Sequence, residues 1–162
     1  MQTLMETNAE VVLATFTAVE ERDREGLFGL FHEDVEFHDA PSLPYGGSFR
    51  GKEALREQLE TAPETTWLGT WGPVQPTETE RRMDPRVVAT NGEEVTVLYT
   101  QRAMSPTGER FESPALGLYE VRDGKLARAQ MFYFDTAGIV AFLERAAASG
   151  SARAAAAEAG PA

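Results

Sequence analysis

Val35-Glu36-Phe37-His38-Asp39-Ala40-Pro41 reads as the end of a short strand, Asp34 to Asp39, running into a loop from Ala40 to Phe49 rich in proline and glycine. A titratable side chain delivered there among aromatic and aliphatic neighbours is the chain's best prospect for acid–base chemistry, because apolar surroundings raise a carboxyl pKa towards neutrality. Strand side chains alternate, so His38 and Asp39 point to opposite sides and one of them faces any pocket. The residues leave both options open. Asp39 can be the general base, or an Asx-turn residue before Pro41; His38 can be the base near neutral pH, or a satisfied strand histidine.

Working outwards, the preceding segment reads as two helices. Asn8 is a plausible N-cap, Val12, Phe16 and Val19 recur at helical spacing, and Leu27, Leu30 and Phe31 make a shorter helix ending near His32. Gly51 to Glu60 follows as a third helix with Leu55 and Leu59 inward. Residues 61–76 show no period and carry Trp67 and Trp71, which together with Tyr45 suit a lid that stacks on a planar ligand and excludes water. Thr77 to Thr90 reads as a strand broken at Asp84-Pro85. Asn91-Gly92 is a hairpin signal, and strands are expected over 93–104, 110–122 and 125–134, with turns at 105–108 and 123–124. Thr136 to Ala147 closes the chain as a helix. Residues 1–7 are expected to be a disordered N-terminus, 8–147 one domain and 148–162 an Ala-rich flexible tail. The fold class is α+β: a cone-shaped curved antiparallel sheet, three N-terminal helices over its concave face and a C-terminal helix.

Two-residue turns at Pro106-Thr107 and Asp123-Gly124 would place Arg102, Phe111, Ser113, Tyr119, Gln130 and Phe132 on one sheet face. Tyr99, Gln101, Leu116, Leu118, Met131, Tyr133 and Asp135 would then lie on the other. The first face mixes small, polar and aromatic residues, as a ligand-lined wall does. The second is more apolar, and a two-fold partner is its simplest cover, so a homodimer through the outer sheet face is expected. Asp135, just before a helix, is assigned as its N-cap.

Composition narrows the function classes. The 162 residues carry a formal charge of −11, 42% hydrophobic and 25% charged residues, and no cysteine. Thirteen acidic residues face five basic ones within the first sixty, so no basic patch suits nucleic acid. Disulfides and thiolate chemistry are excluded, and no run approaches the ~18 apolar residues of a membrane span. A cytoplasmic protein without membrane contact is expected. The two histidines, His32 and His38, lie on different elements without ligand spacing, and Gly46-Gly47-Ser48-Phe49-Arg50-Gly51 lacks a phosphate-binding Lys-Ser/Thr. Neither a metal nor a cofactor is expected.

The element order, the stretch Leu30-Phe31-His32-Glu33-Asp34-Val35 and the closing Gly124-Lys125-Leu126 and Phe132-Tyr133-Phe134-Asp135 resemble the nuclear-transport-factor-2-like superfamily, specifically SnoaL-like polyketide cyclases and ketosteroid-isomerase-like proteins. The likeness covers roughly residues 8 to 147 and is specific for fold more than function. It implies that Asp39 stands where ketosteroid isomerases keep their catalytic aspartate. Thr15 occupies the place of their oxyanion tyrosine, and their second aspartate falls near Gly117, so a classical ketosteroid isomerase is not expected. Limonene epoxide hydrolases are similar through Tyr99-Thr100-Gln101-Arg102, but their paired aspartates align with Met104 and Phe132. The resemblance therefore implies a cofactor-independent acid–base enzyme of isomerase, cyclase or lyase (dehydratase) type, acting on a small apolar carbonyl or polyketide-like substrate. Catalysis is expected from Asp39 or His38. Arg102, Gln130, Tyr45, Trp67, Trp71, Ser113, Tyr119 and Phe132 are the expected substrate contacts. The alternative is a non-catalytic small-molecule binding protein using the same pocket.

Overall fold

A computed structural model describes residues 2–159. Helix α1 (Gln2–Glu20) buries Val12 and Phe16, the stripe expected from their spacing, and is followed by α2 (Arg24–Gly29), strands β1 (Phe31–Asp39) and β2 (Gly47–Arg50), and α3 (Lys52–Thr61). Two short helices, α4 (Trp67–Trp71) and α5 (Glu78–Arg81), precede the meander β3 (Arg86–Asn91), β4 (Glu94–Met104), β5 (Arg110–Arg122) and β6 (Lys125–Tyr133), and α6 (Thr136–Ala159) ends the described chain. The helix α1 includes residues 2–7, and α6 continues past Ala147; Met1 and residues 160–162 lie outside the described residues.

The six strands form one open sheet in the order β2-β1-β6-β5-β4-β3. It is antiparallel except where β1 pairs in parallel with β6, His38 opposite Gln130, which sets β1 second from one edge and its end beside the last strand. Helices α1 to α3 lie over one part of the concave face and α6 over the rest.

Local chemistry corrects several expected boundaries. The strand begins at Phe31, so the second helix stops at Gly29. Ser48 and Phe49, expected in a loop, pair with β1 as β2. Residues 61–76 are a run of short helical turns, α4 being capped by Thr66, whose Oγ1 accepts from the Gly69 amide at 3.0 Å. Glu78–Arg81 is helical instead of extended, because Thr77 and Glu80 form a capping box in which the Thr77 amide donates to Glu80 Oε2 at 3.0 Å.

Two single-residue insertions decide the sheet faces. The β4–β5 turn has three residues, Pro106 to Gly108: Ser105 N donates to Glu109 O at 2.8 Å and Gly108 takes φ +88°, a left-handed conformation open to glycine. Arg102 consequently pairs with Glu112, and Ala103 with Phe111. The β5–β6 turn begins as expected, Val121 opposite Leu126, but the register shifts by one beyond it and Gly117 faces Met131. A bulge leaves the adjacent Leu126 and Ala127 both buried. Each insertion inverts one strand relative to β5. Phe111, Ser113 and Tyr119 keep the concave face assigned to them. Arg102, Gln130 and Phe132 move to the convex face, and Tyr99, Gln101, Met131 and Tyr133 move in.

Candidate active site

A cavity of about 290 Å³ lies between α1, α3, α4 and the concave sheet. Its wall is mostly apolar, with Phe16, Leu27, Phe37, Trp67, Leu68 and Met131 prominent, and Asp39 is the one carboxylate among its lining residues. The alternation of β1 puts Phe37 and Asp39 on this side. It sends His38 to the opposite side, where Nδ1 lies 2.8 Å from Ser48 Oγ and Nε2 is 3.9 Å from Glu36 Oε2. Of the two candidate bases the cavity holds Asp39.

Burial pushes the Asp39 carboxyl up to about 6, an increase only partly offset by the hydrogen bond it accepts. That bond comes from Tyr133, whose hydroxyl donates to Asp39 Oδ1 at 3.1 Å. Tyr133 accepts in turn from the Tyr45 hydroxyl at 2.9 Å, and Tyr45 accepts from Trp71 Nε1 at 3.0 Å. Three donors thus run in series from a completely buried indole to the carboxylate. Burial raises the phenol pKa values of Tyr45 and Tyr133, so both stay protonated and the chain keeps its direction.

Tyr119 supplies another donor. Its ring lies on Gly117, where any Cβ would come within 2.3 Å of it, so only glycine fits beneath. Its phenol lines the cavity, makes no hydrogen bond to the described residues, and is held protonated by burial and by the nearby Asp39 charge.

The other expected contacts divide. Tyr45 and Trp67 line the cavity, whereas Trp71 sits one layer behind as the anchor of the donor chain. Ser113 is buried on the concave face outside the cavity lining, its hydroxyl without a hydrogen-bond partner among the described residues. Arg102 is turned outwards, 3.0 Å from Asp84 and 3.4 Å from Glu112, and cannot reach the cavity. Gln130 accepts from Arg128 at 2.7 Å on the convex face, and Phe132 is 49% exposed there. Asp135 Oδ1 accepts from the Gly138 amide at 2.9 Å, the cap expected of it. Sequence reasoning missed Tyr133 because the bulge hid its direction; the adjacent apolar pair Leu126-Ala127 was the signal. Among the described residues no cluster of three histidines or acids could hold a metal, and no helix is long and apolar enough to cross a membrane.

The SnoaL-like domain model matches residues 12–129, which span α1 through most of β6. The chain belongs to the SnoaL-like domain family. Among solved structures it is similar to TerC co-crystallised with polyporic acid, at 26% identity and TM-score 0.67, covering 85% of this chain and 98% of that one. An NTF2-like protein from Burkholderia pseudomallei K96243 shares 18% identity, TM-score 0.67 and 85% and 97% coverage. A candidate polyketide cyclase from Xanthomonas campestris pv. campestris shares 19%, TM-score 0.57 and 80% and 91% coverage. The last two likenesses are of fold. No curated protein sequence matches the chain. Within this SnoaL-like cone, Thr15 lines the cavity but spends its hydroxyl on Val12 O of its own helix at 2.6 Å. The position near Gly117 is covered by the Tyr119 phenol.

Proposed function

We propose that this SnoaL-like protein is a cofactor-independent acid–base enzyme of isomerase, cyclase or dehydratase type acting on a small, largely apolar carbonyl or polyketide-like compound. The observation that carries the reading is the single carboxylate in a greasy cavity, raised to about 6 and backed by an ordered donor chain. A base poised near neutrality removes a proton next to a carbonyl efficiently and can return it. The charge then developing on the carbonyl oxygen needs a donor, and Tyr119, protonated and free, is placed to provide it. The Tyr133–Tyr45–Trp71 chain keeps the other carboxylate oxygen occupied, orienting Asp39 for reaction through the oxygen that remains. That a 26% identical structure contains polyporic acid makes this compound a reasonable first ligand to titrate.

The test uses a substrate that reports a carboxylate base directly. In 5-nitrobenzisoxazole, removal of the carbon-bound proton breaks the N–O bond and releases a coloured cyanophenolate. The wild-type protein should turn it over with a rate rising as pH passes through about 6, and Asp39→Asn should lose about 100-fold. Equal rates in the two would leave a ligand-binding protein without catalysis, the alternative reading. His38→Ala, on the convex face, should retain the rate.

We also infer a cytoplasmic homodimer. The convex face presents Leu116, Leu118 and Phe132, with Phe134 84% exposed at its rim, and a second copy is the cover we infer. Sedimentation should give twice the monomer mass, and Phe132→Glu/Phe134→Glu should give the monomer.

A further inference from the structure

We propose that a second cavity, adjoining the first, receives the carboxylate end of the ligand whose apolar body occupies the main cavity; this deepens the reading above and rests on it. The second cavity measures about 180 Å³ and shares Val19, Leu27, Trp67 and Leu68 with the first as a common wall. Its own lining is different in kind: Arg22, Arg24 and Arg81 converge on it, with Asp23 and Gln75.

Three arginines at one concavity are unexpected in a chain of charge −11. Many other guanidinium groups are ion-paired, as in Arg56–Glu25, Arg102–Asp84 and Arg145–Glu109, and those without such a partner among the described residues, Arg86 and Arg128, lie apart from one another on the sheet. Among the described residues no carboxylate oxygen lies within 4 Å of the guanidinium nitrogens of Arg22, Arg24 or Arg81. Arg22 donates from Nη2 to the carbonyls of Gly72 (3.2 Å) and Gln75 (2.5 Å), and Arg81 from Nε to that of Glu20 (3.0 Å). Those neutral partners fix two side chains without neutralising them, while Arg24 makes no hydrogen bond or close ion pair among the described residues.

The backbone at Arg22 adds an independent sign. Helix α1 ends in a Schellman motif, with Asp23 N donating to Ala18 O (2.9 Å) and Arg22 N to Val19 O (3.1 Å), and Arg22 occupies its left-handed position at φ +57°. Glycine is the usual occupant there, so arginine carries backbone strain that its side chain must justify. Asp23, the acid in the wall, is committed through Oδ1 to the Gly26 amide at 2.9 Å as the cap of α2. A locally positive concavity is what allows a strongly acidic protein to attract an anionic ligand, and planar guanidinium groups match a carboxylate in geometry.

The experiment compares 6-phenylhexanoate with 6-phenylhexanol, titrated against the fluorescence of Trp67 and Trp71 at low salt. The carboxylate should bind about tenfold more tightly than the alcohol, an advantage that shrinks as salt is added. Arg24→Gln should remove part of the advantage, and Arg24→Gln/Arg81→Gln all of it, with alcohol affinity unchanged. Equal affinities for the wild type, or a preference that survives the double variant, would overturn the proposal while leaving the main cavity's role intact. Failure of both compounds to bind would overturn the two readings together.

Discussion

Strand β5 runs under two unlike halves of one molecule. Towards one end of its concave side Tyr119, its ring lying on Gly117, borders a hollow of about 290 Å³. Towards the other, Phe111 is stacked on Phe142 at 5.1 Å between ring centroids, in a filled cluster with Trp71, Ile139 and Leu143. The sheet surface is continuous; the roof differs. Helix α6 lays large side chains onto the sheet, whereas α1 presents Thr15, Phe16 and Val19 to the open half and stops short of filling it. The donor chain joins the halves: it starts at Trp71 in the solid one and ends at Asp39 in the hollow one. A close-packed region can hold a polar group in place for an unfilled neighbour, and that division of labour explains how a carboxylate stays ordered beside empty space.

Truncation in the solid half should hurt most. Phe142→Ala should cost about 3–5 kcal/mol in chemical denaturation, while Leu55→Ala on the cavity wall should cost far less because space is already present there. A comparable loss at both positions would break the distinction.

Asp39→Asn should act the other way and stabilise. The folded-state pKa, about 6, exceeds the ordinary value of 3.8, so the folded protein binds the proton more tightly than the unfolded chain. The resulting stabilisation is fully present below about 3.8 and is lost as pH rises through 6. Relative to wild type, the asparagine variant should therefore gain up to about 3 kcal/mol at pH 8 and little at pH 4, as followed by urea unfolding at the two pH values.

Enlarging small residues probes the same contrast. Ala103→Leu, in the filled cluster, should cost about 1–3 kcal/mol, whereas Ala129→Leu should cost less than that and abolish ligand binding by occupying the cavity. Tyr133→Phe should have the smallest effect on stability, about 1 kcal/mol. Because its hydroxyl holds the Asp39 pKa down, its removal should move the acid limb of the pH–rate profile upwards. An unmoved limb would separate the donor chain from the base.

The order of elements was legible because periodicity in α1, α3 and the long strands is strong and locally determined. The position of the candidate base was partly legible, since the alternation of Phe37, His38 and Asp39 leaves one of two titratable side chains, Asp39, to face the concave side. The cavity wall was less so. An extra residue at Gly108 and a bulge at Ala127 each turned a strand over, and only β5, lying between them, kept its face. The alternation therefore predicts the concave side correctly for Tyr119 and Ser113, while it turns Arg102 and Gln130 inward and Tyr133 outward, opposite to their positions in the fold. Turn chemistry propagates along a strand, so an error of one residue at a hairpin misplaces side chains far from it. The short helices α4 and α5 were obscured for another reason: their cohesion comes from the caps Thr66 and Thr77 with little periodicity to show.

The most direct test is to follow the side-chain carboxyl carbon of Asp39 by NMR as pH is raised, using protein labelled with carbon-13. The wild-type protein should titrate at about pH 6, displaced further upwards in Tyr133→Phe. A midpoint at the ordinary aspartate value of 3.8 would show a solvated carboxylate and contradict a base poised inside an apolar hollow.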